Sequence, residues 1–304
     1  MSRSVLCVGE PLVSLTPSAG LATSDSVHVG VGGAELNVAL HLARLRMPVA
    51  YACAVGTDPF GVRIREILRT EGVAVDHLQE ATGPTGIYFK EPGPPPQMLY
   101  YRAGSAGSEL AAIDPDVLAG AAIVHVSGVS LGLRGEIVRS VEACLAQPRP
   151  WRASFDVNFR PALWSAAEAG TALLEAARSA DLVLVGRDEA EAIWNTSDRH
   201  GIHELIGPDS ELVIKDGPDP VEVWADGRWW TSAPAPVEIV DPIGAGDAFA
   251  AGYLAARLSG CDPIAAAEQG HRLAAHVLTS VGDQGVADAE VYAWADRMSK
   301  AVTG

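Results

Sequence analysis

Short apolar runs alternate with helix-period segments along the chain, and this predicts an α/β fold in which a largely parallel sheet is wrapped by helices. The runs at 5–9, 49–55, 122–127, 153–157, 182–185 and 212–214 read as buried strands, and most are followed by helical pattern. Helices are expected over 34–45, 59–70, 135–146, 166–179, 245–259, 263–280 and 289–300. At 304 residues the length suits one large domain with a small appendage. The composition is globular, 48% hydrophobic and 20% charged.

One region breaks the rhythm. Residues 85–91 and 97–102 alternate like strands around the segment Pro92-Gly93-Pro94-Pro95-Pro96, which continues neither strand nor helix. An exposed hairpin is expected there. Period-two alternation puts Tyr88 and Lys90 on one face and Ile87 and Phe89 on the other, while Tyr100 and Arg102 share a face of the second strand. That face is either a holder for a polar ligand or an ordinary solvated surface.

A formal charge of -16 repels a nucleic-acid backbone or an anionic membrane, so neither is an expected partner. Only Lys90, Lys215 and Lys300 are lysines, so an anionic ligand must be met by a few arginines, backbone amides or a metal ion. Cys7, Cys53, Cys144 and Cys261 are far apart and off metal-ligand spacing, which suits reduced core thiols. With neither a secretory cleavage pattern nor eighteen consecutive apolar residues, a cytoplasmic location is expected.

The sharpest local signal is Asp241-Pro242-Ile243-Gly244-Ala245-Gly246-Asp247, directly before an Ala-rich helical stretch. A glycine turn opening a helix presents free backbone amides and the positive end of the helix dipole, which suit a transferring phosphoryl group. Asp247, in the first helical turn, is placed to take a proton from an attacking hydroxyl. Simple capping of the helix by an aspartate accounts for the same residues.

The chain lacks the Gly-x-x-x-x-Gly-Lys-Ser/Thr phosphate loop, and Gly30-Val31-Gly32-Gly33 lacks dinucleotide-binding spacing. Gly32 and Gly33 before a helix carrying Glu35 and Asn37 either expose backbone and an amide to a sugar hydroxyl or form a tight turn with a satisfied Asn. The segment Asp156-Val157-Asn158-Phe159-Arg160-Pro161 closes a buried strand, where open α/β sheets bind ligands. The Arg160 guanidinium there matches a carboxylate or, alternatively, a surface ion pair.

Together these motifs resemble the ribokinase-like (PfkB) family of sugar kinases, in its early Gly32-Gly33 to Asn37-Val38-Ala39 element and its late Asp241 to Asp247-Ala248-Phe249 signature. Within that family the chain is most similar to 2-keto-3-deoxygluconate kinases, through Gly9-Glu10-Pro11-Leu12, Gly33-Ala34-Glu35-Leu36-Asn37, Tyr100-Tyr101-Arg102, Gly104-Ser105-Ala106-Gly107-Ser108 and the segment from Asp156 to Trp164. The resemblance implies a three-layer α/β/α core over 1–304 with a small β-lid from about 11–30 and 86–104. It implies ATP and magnesium, a small sugar-acid substrate, and homo-oligomers paired through the lid. Carried over by position, Gly33 and Asn37 would bind sugar hydroxyls, and Tyr88, Tyr100, Arg102 and Arg160 the keto acid with its carboxylate. Asp247 would be the base, and Gly244, Ala245 and Gly246 would stabilise charge on the phosphoryl group. Lys215, Gly217 and His271 would face the nucleotide, and Glu189 would order water around magnesium.

Three departures from the family pattern lie on the nucleotide side. Gly186-Arg187-Asp188-Glu189 keeps an acid but loses an amide. Lys215-Asp216-Gly217 is followed by Pro218, Asp219 and Pro220, and His271 stands where Asn is frequent. Two other readings therefore accompany the sugar-acid kinase. One is a kinase of a neutral sugar such as fructose or ribose, favoured if Arg102 or Arg160 is consumed by an internal ion pair. The other is a sugar-acid sensor that has lost productive ATP binding.

Overall fold

The computed structural model describes residues 4–93, 96–280, 282–285 and 292. In chain order its strands are β1 (Val5–Val8), β2 (Leu12–Pro17), β3 (Val27–Gly32), β4 (Val49–Gly56), β5 (Leu78–Ala81), β6 (Ile87–Glu91), β7 (Gln97–Tyr101), β8 (Ile123–Ser127), β9 (Arg152–Asp156), β10 (Leu182–Gly186), β11 (Glu211–Lys215), β12 (Val221–Ala225) and β13 (Arg228–Ser232). Nine of them form one sheet in the order β13-β12-β11-β10-β9-β8-β1-β4-β5. From β11 to β5 every pairing in it is parallel, and β12 and β13 add an antiparallel edge.

Parallel strands covered on both faces must be apolar at every position, and β1 shows this. Val5 and Cys7 point into one core layer, with the helices Ala34–Arg44, Pro59–Thr70, Ala245–Leu258 and Pro263–Leu278. Leu6 and Val8 point into the opposite layer, with Glu136–Leu145, Ala166–Ser179, Arg187–Trp194 and Arg199–Ile206. The chain runs outward from β1 in both directions, so the sheet reverses its winding between β8 and β4, where such sheets open a crevice at their carboxyl ends.

The expected strands are all present within about two residues, and the helices at Pro59–Thr70 and Ala166–Ser179 have the expected ends. Asp58 and Ser165 cap them through side-chain oxygens. The helix expected over 289–300 lies outside the described residues apart from Tyr292. Elements beyond those expected are β5, the β12–β13 hairpin, the two short helices after β10, and the short helical segments Ala106–Glu109, Pro115–Gly120 and Gly128–Leu131. The hairpin turns at Asp226-Gly227, both with positive φ (53° and 73°), a two-residue turn whose Asp-Gly signature is visible in the sequence.

Strands β3-β2-β6-β7 form a second sheet, with β2 and β6 parallel and the outer pairs antiparallel. The hairpin expected over 85–102 is therefore formed but does not stand free. Tyr88 and Lys90 are only 2% and 7% exposed, because their face turns inward. The solvated-face reading fails there, while Tyr101 on β7 remains 64% exposed.

Glu35 secures the helix that carries Asn37. Its buried Oε1 accepts from the amide (3.0 Å) and Oγ (2.7 Å) of Ser127, which ends β8, and from Ser130 Oγ (2.9 Å) just beyond it, and Gly9 leaves the space its carboxyl occupies. Burial pushes its pKa up, partly offset by these donors. Glu35→Ala should destabilise the protein by about 1–3 kcal/mol, since it strands buried donors without a partner. A urea midpoint unchanged from that of the parent protein would show that water replaces the carboxylate.

Candidate active site

The helix Ala245–Leu258 is buried over 248–256, where Ala, Gly and Leu surround the two aromatics Phe249 and Tyr253. Small side chains let it pack closely against its neighbours, while its first turn is only half-buried at Ala245 and Asp247 and exposed at Gly246. Gly244 precedes it with φ +82°, in the left-handed region where a side chain is strained. A Cβ there would also collide with the Asp283 carbonyl. The turn thus presents the unpaired amides of a helix start, and Asp247 occupies its first turn.

Asp247 meets the first turn of a second helix: Asn37 Nδ2 donates to its Oδ2 at 2.8 Å. Asn37 is itself oriented by Gln284, whose Nε2 donates to the Asn37 Oδ1 at 3.0 Å. On the other side Asn158 Nδ2 lies 3.5 Å from Asp247 Oδ1. Burial pushes the Asp247 pKa up to about 7; the Asn37 hydrogen bond opposes this, the Asp156 charge adds to it, and the Arg160 and Lys215 charges oppose it. A carboxyl poised near neutrality with one oxygen only lightly engaged has the properties of a general base.

Asp247 opens onto a cavity of about 560 Å³ at the carboxyl ends of the parallel strands, roofed by the second sheet. Eight of the residues predicted from sequence line it: Gly33, Asn37, Tyr88, Tyr100, Arg102, Arg160, Gly244 and Asp247. Ala245 and Gly246 continue the turn without lining the cavity. The two arginines differ. Arg102 Nη2 donates to the buried carboxylate of Glu10, which Ser105 Oγ also engages, so its charge is already balanced. Its buried Nε has no partner. Arg160 is 48% exposed, bonds to the Phe159 carbonyl at 3.0 Å and lies 3.7 Å from Glu189, a loose pairing.

The residues expected on the nucleotide side lie off this cavity. Lys215 Nζ bonds both oxygens of Asp156 (3.0 and 2.9 Å) and lies beside Gly246, so it stands next to the helix turn. Glu189 accepts the amides of Phe159 (3.1 Å) and Gly186 (2.8 Å), one on each oxygen. His271 Nε2 lies 3.0 Å from the Ser232 carbonyl and its ring meets Phe249 edge-on. Gly217 sits at φ +54° with open space beside it. Among the described residues no group of three or more His, Cys, Asp or Glu side chains is arranged to hold a metal ion.

Sequence reading passed over Glu10, Asn158 and Asp283, which all line the cavity. Glu10 and Asn158 belong to the motifs Gly9-Glu10-Pro11-Leu12 and Asp156 to Pro161, whose spacing alone gives neither residue a role. Asn158 adopts a left-handed φ of 39°, a conformation Asn tolerates and that sequence does not announce.

Asn37→Leu should raise the Asp247 pKa above about 7, by roughly one unit, because it removes a hydrogen bond made to the charged form. Carboxyl-carbon NMR titration measures this directly, and an unmoved titration would show that Asn37 only fills space.

The sequence profile described as pfkB family carbohydrate kinase matches residues 2–290. The chain is 33% identical over 297 residues to 2-dehydro-3-deoxygluconokinase of Thermoproteus tenax, covering 92% of this chain and 90% of that one. It is 29% identical over 305 residues to 2-dehydro-3-deoxygluconokinase of Escherichia coli K12, covering 91% and 96%. The crystal structure of 2-dehydro-3-deoxygluconokinase from Thermotoga maritima superimposes with a TM-score of 0.84 at 26% identity, over 100% of this chain and 99% of that one. The glycine turn, the aspartate at its helix start and the roofed crevice thus occur in a chain that belongs to the pfkB family of carbohydrate kinases.

Proposed function

We propose that the chain is an ATP-dependent kinase of a sugar acid, 2-keto-3-deoxygluconate (2-dehydro-3-deoxygluconate) above all, acting on its terminal primary hydroxyl. The observation that carries this is one cavity holding Asp247 at a helix start together with the Arg160 guanidinium. Relatives named for that activity, matched over nearly their whole length, support the same reading.

In this reading Gly33, Asn37 and Tyr88 orient the sugar chain so that its terminal hydroxyl meets Asp247. The hydroxyl oxygen forms a bond to the γ-phosphorus while its proton passes to Asp247, and the bond from that phosphorus to the bridging oxygen breaks, releasing ADP. The amides of the Gly244, Ala245 and Gly246 turn, with Lys215 beside them, stabilise the charge on the transferring group. The nucleotide extends toward Gly217 and His271. Magnesium, when bound, would neutralise phosphate charge, and it fits here as an ion carried by phosphates and water with Glu189 in an outer role, since among the described residues no carboxylate cluster is arranged to hold it. The second sheet acts as a lid. The exposed apolar residues Leu99 and Tyr101 on its edge strand β7 suit pairing of two lids in a homo-oligomer. A monomer by light scattering at micromolar concentration overturns that assembly.

A neutral-sugar kinase is the second reading, and the Glu10–Arg102 pair favours it, because an arginine already balanced adds no net charge for a carboxylate. Arg160 and the unpartnered Arg102 Nε are what the sugar-acid reading retains. Turnover of ATP against 2-keto-3-deoxygluconate, its galactonate epimer, gluconate, fructose and ribose separates the readings. Arg160→Ala should raise KM for the keto acid about 10- to 100-fold, the equivalent of one charge-assisted hydrogen bond, and leave neutral sugars unaffected. Turnover of fructose or ribose alone would keep the kinase and discard the acid substrate. Keto-acid binding without turnover would point to a sensor.

Asp247→Asn should lower kcat by about 10²- to 10⁴-fold with the substrate still bound. The base must be ionised to accept the proton, so kcat/KM should rise with pH and level off above about 7. A flat profile between pH 5 and 8 would assign the base to another group.

A further inference from the structure

Lys90 belongs to the second sheet, yet its ammonium ends at the phosphoryl turn of the main domain. Its Nζ donates to Asp241 Oδ2, at the head of that turn, and lies 3.1 Å from Asp283 Oδ1, with all three side chains 9% exposed. Tyr88, two residues earlier on the same inward face, donates its hydroxyl to the other oxygen of Asp283. Both aspartates grip the turn. Asp241 accepts the amides of Ile243 (3.1 Å) and Gly282 (3.2 Å), and the Asp283 backbone packs against Gly244, which the absence of a Cβ allows.

Two carboxylates thus flank the amides that would receive an anionic phosphoryl group, and Asp283 also lines the cavity. Left unbalanced in a poorly solvated site, they would repel that group and each other. Lys90 is the cation seen on both, in a chain with only three lysines. We propose that Lys90 is a positioning residue for phosphoryl transfer: it cancels the Asp241 and Asp283 charge facing the nucleotide phosphates, and it makes seating of the second sheet a condition for a receptive turn. This rests on the kinase reading above.

The test is calorimetric binding of magnesium-ADP and of adenosine to the intact protein and to Lys90→Met, Asp283→Asn and the double variant. Lys90→Met should weaken ADP binding at least about tenfold and leave adenosine within twofold, since only the charged part of the ligand meets the unbalanced carboxylates. The double variant restores the net charge of the cluster and should recover most of the lost ADP affinity, an outcome that a purely structural role would not give. Lys90→Gln, which stays polar and of similar length, carries the same expectations if Lys90→Met does not fold. Unchanged ADP affinity in Lys90→Met, equal loss of ADP and adenosine, or a double variant no better than the single one overturns the proposal alone. An unsubstituted protein that binds no nucleotide overturns the kinase reading, and this proposal with it.

Discussion

Asp247 is a half-buried ionisable carboxyl where the first turns of two helices meet, and the groups around it offset the cost of drawing it from water. Burying a carboxylate is costly unless donors and charges compensate. Asn37 supplies the close donor from the helix Ala34–Arg44, and Asn158 flanks the other oxygen from beyond β9. Lys215, clamped by Asp156, supplies positive charge from β11. These partners come from three separate stretches of chain, so Asp247 has its surroundings only when helices and sheet have assembled. Compensation is incomplete, and the incompleteness keeps the group near neutrality and able to accept a proton.

The same economy recurs at the edges of the cavity. Glu35 ties one helix to the end of β8 and the short helical turn after it, Glu10 balances Arg102, and Lys90 balances Asp241 and Asp283. A strongly acidic chain with few lysines places its cations where carboxylates have been taken from water. Arg160 is instead half exposed and only loosely paired, and its freedom suits a guanidinium kept for a ligand rather than for the fold.

Much of the fold was legible because its signals are local. Buried parallel strands read as unbroken apolar runs, and helix starts were marked by Asp58-Pro59, Ser165 and Gly244. Alternation alone put Tyr88 and Lys90 on one face of the roof sheet, and only burial in the folded chain shows that this face turns inward. The β12–β13 hairpin, whose Asp226-Gly227 turn is equally local, went unread because its two strands hold tryptophans on an edge rather than a plain apolar run. Strand β5, with two apolar residues in four, carries too weak a pattern to stand out.

For the site, sequence by itself determined the parts: the glycine turn, the aspartate three residues beyond Gly244, and the arginine after the Asp156 strand. Their chemistry is written in residue type and spacing within a few positions. Which charges are spent and which remain available was decided only by tertiary structure. Arg102 and Arg160 look alike in the sequence, yet Glu10, 92 residues away, neutralises the first while the second stays largely free. Lys90 reads as one residue of a hairpin until folding brings it to Asp241, 151 residues later. Pairing of this kind depends on distances in space between groups that chain connectivity leaves unrelated.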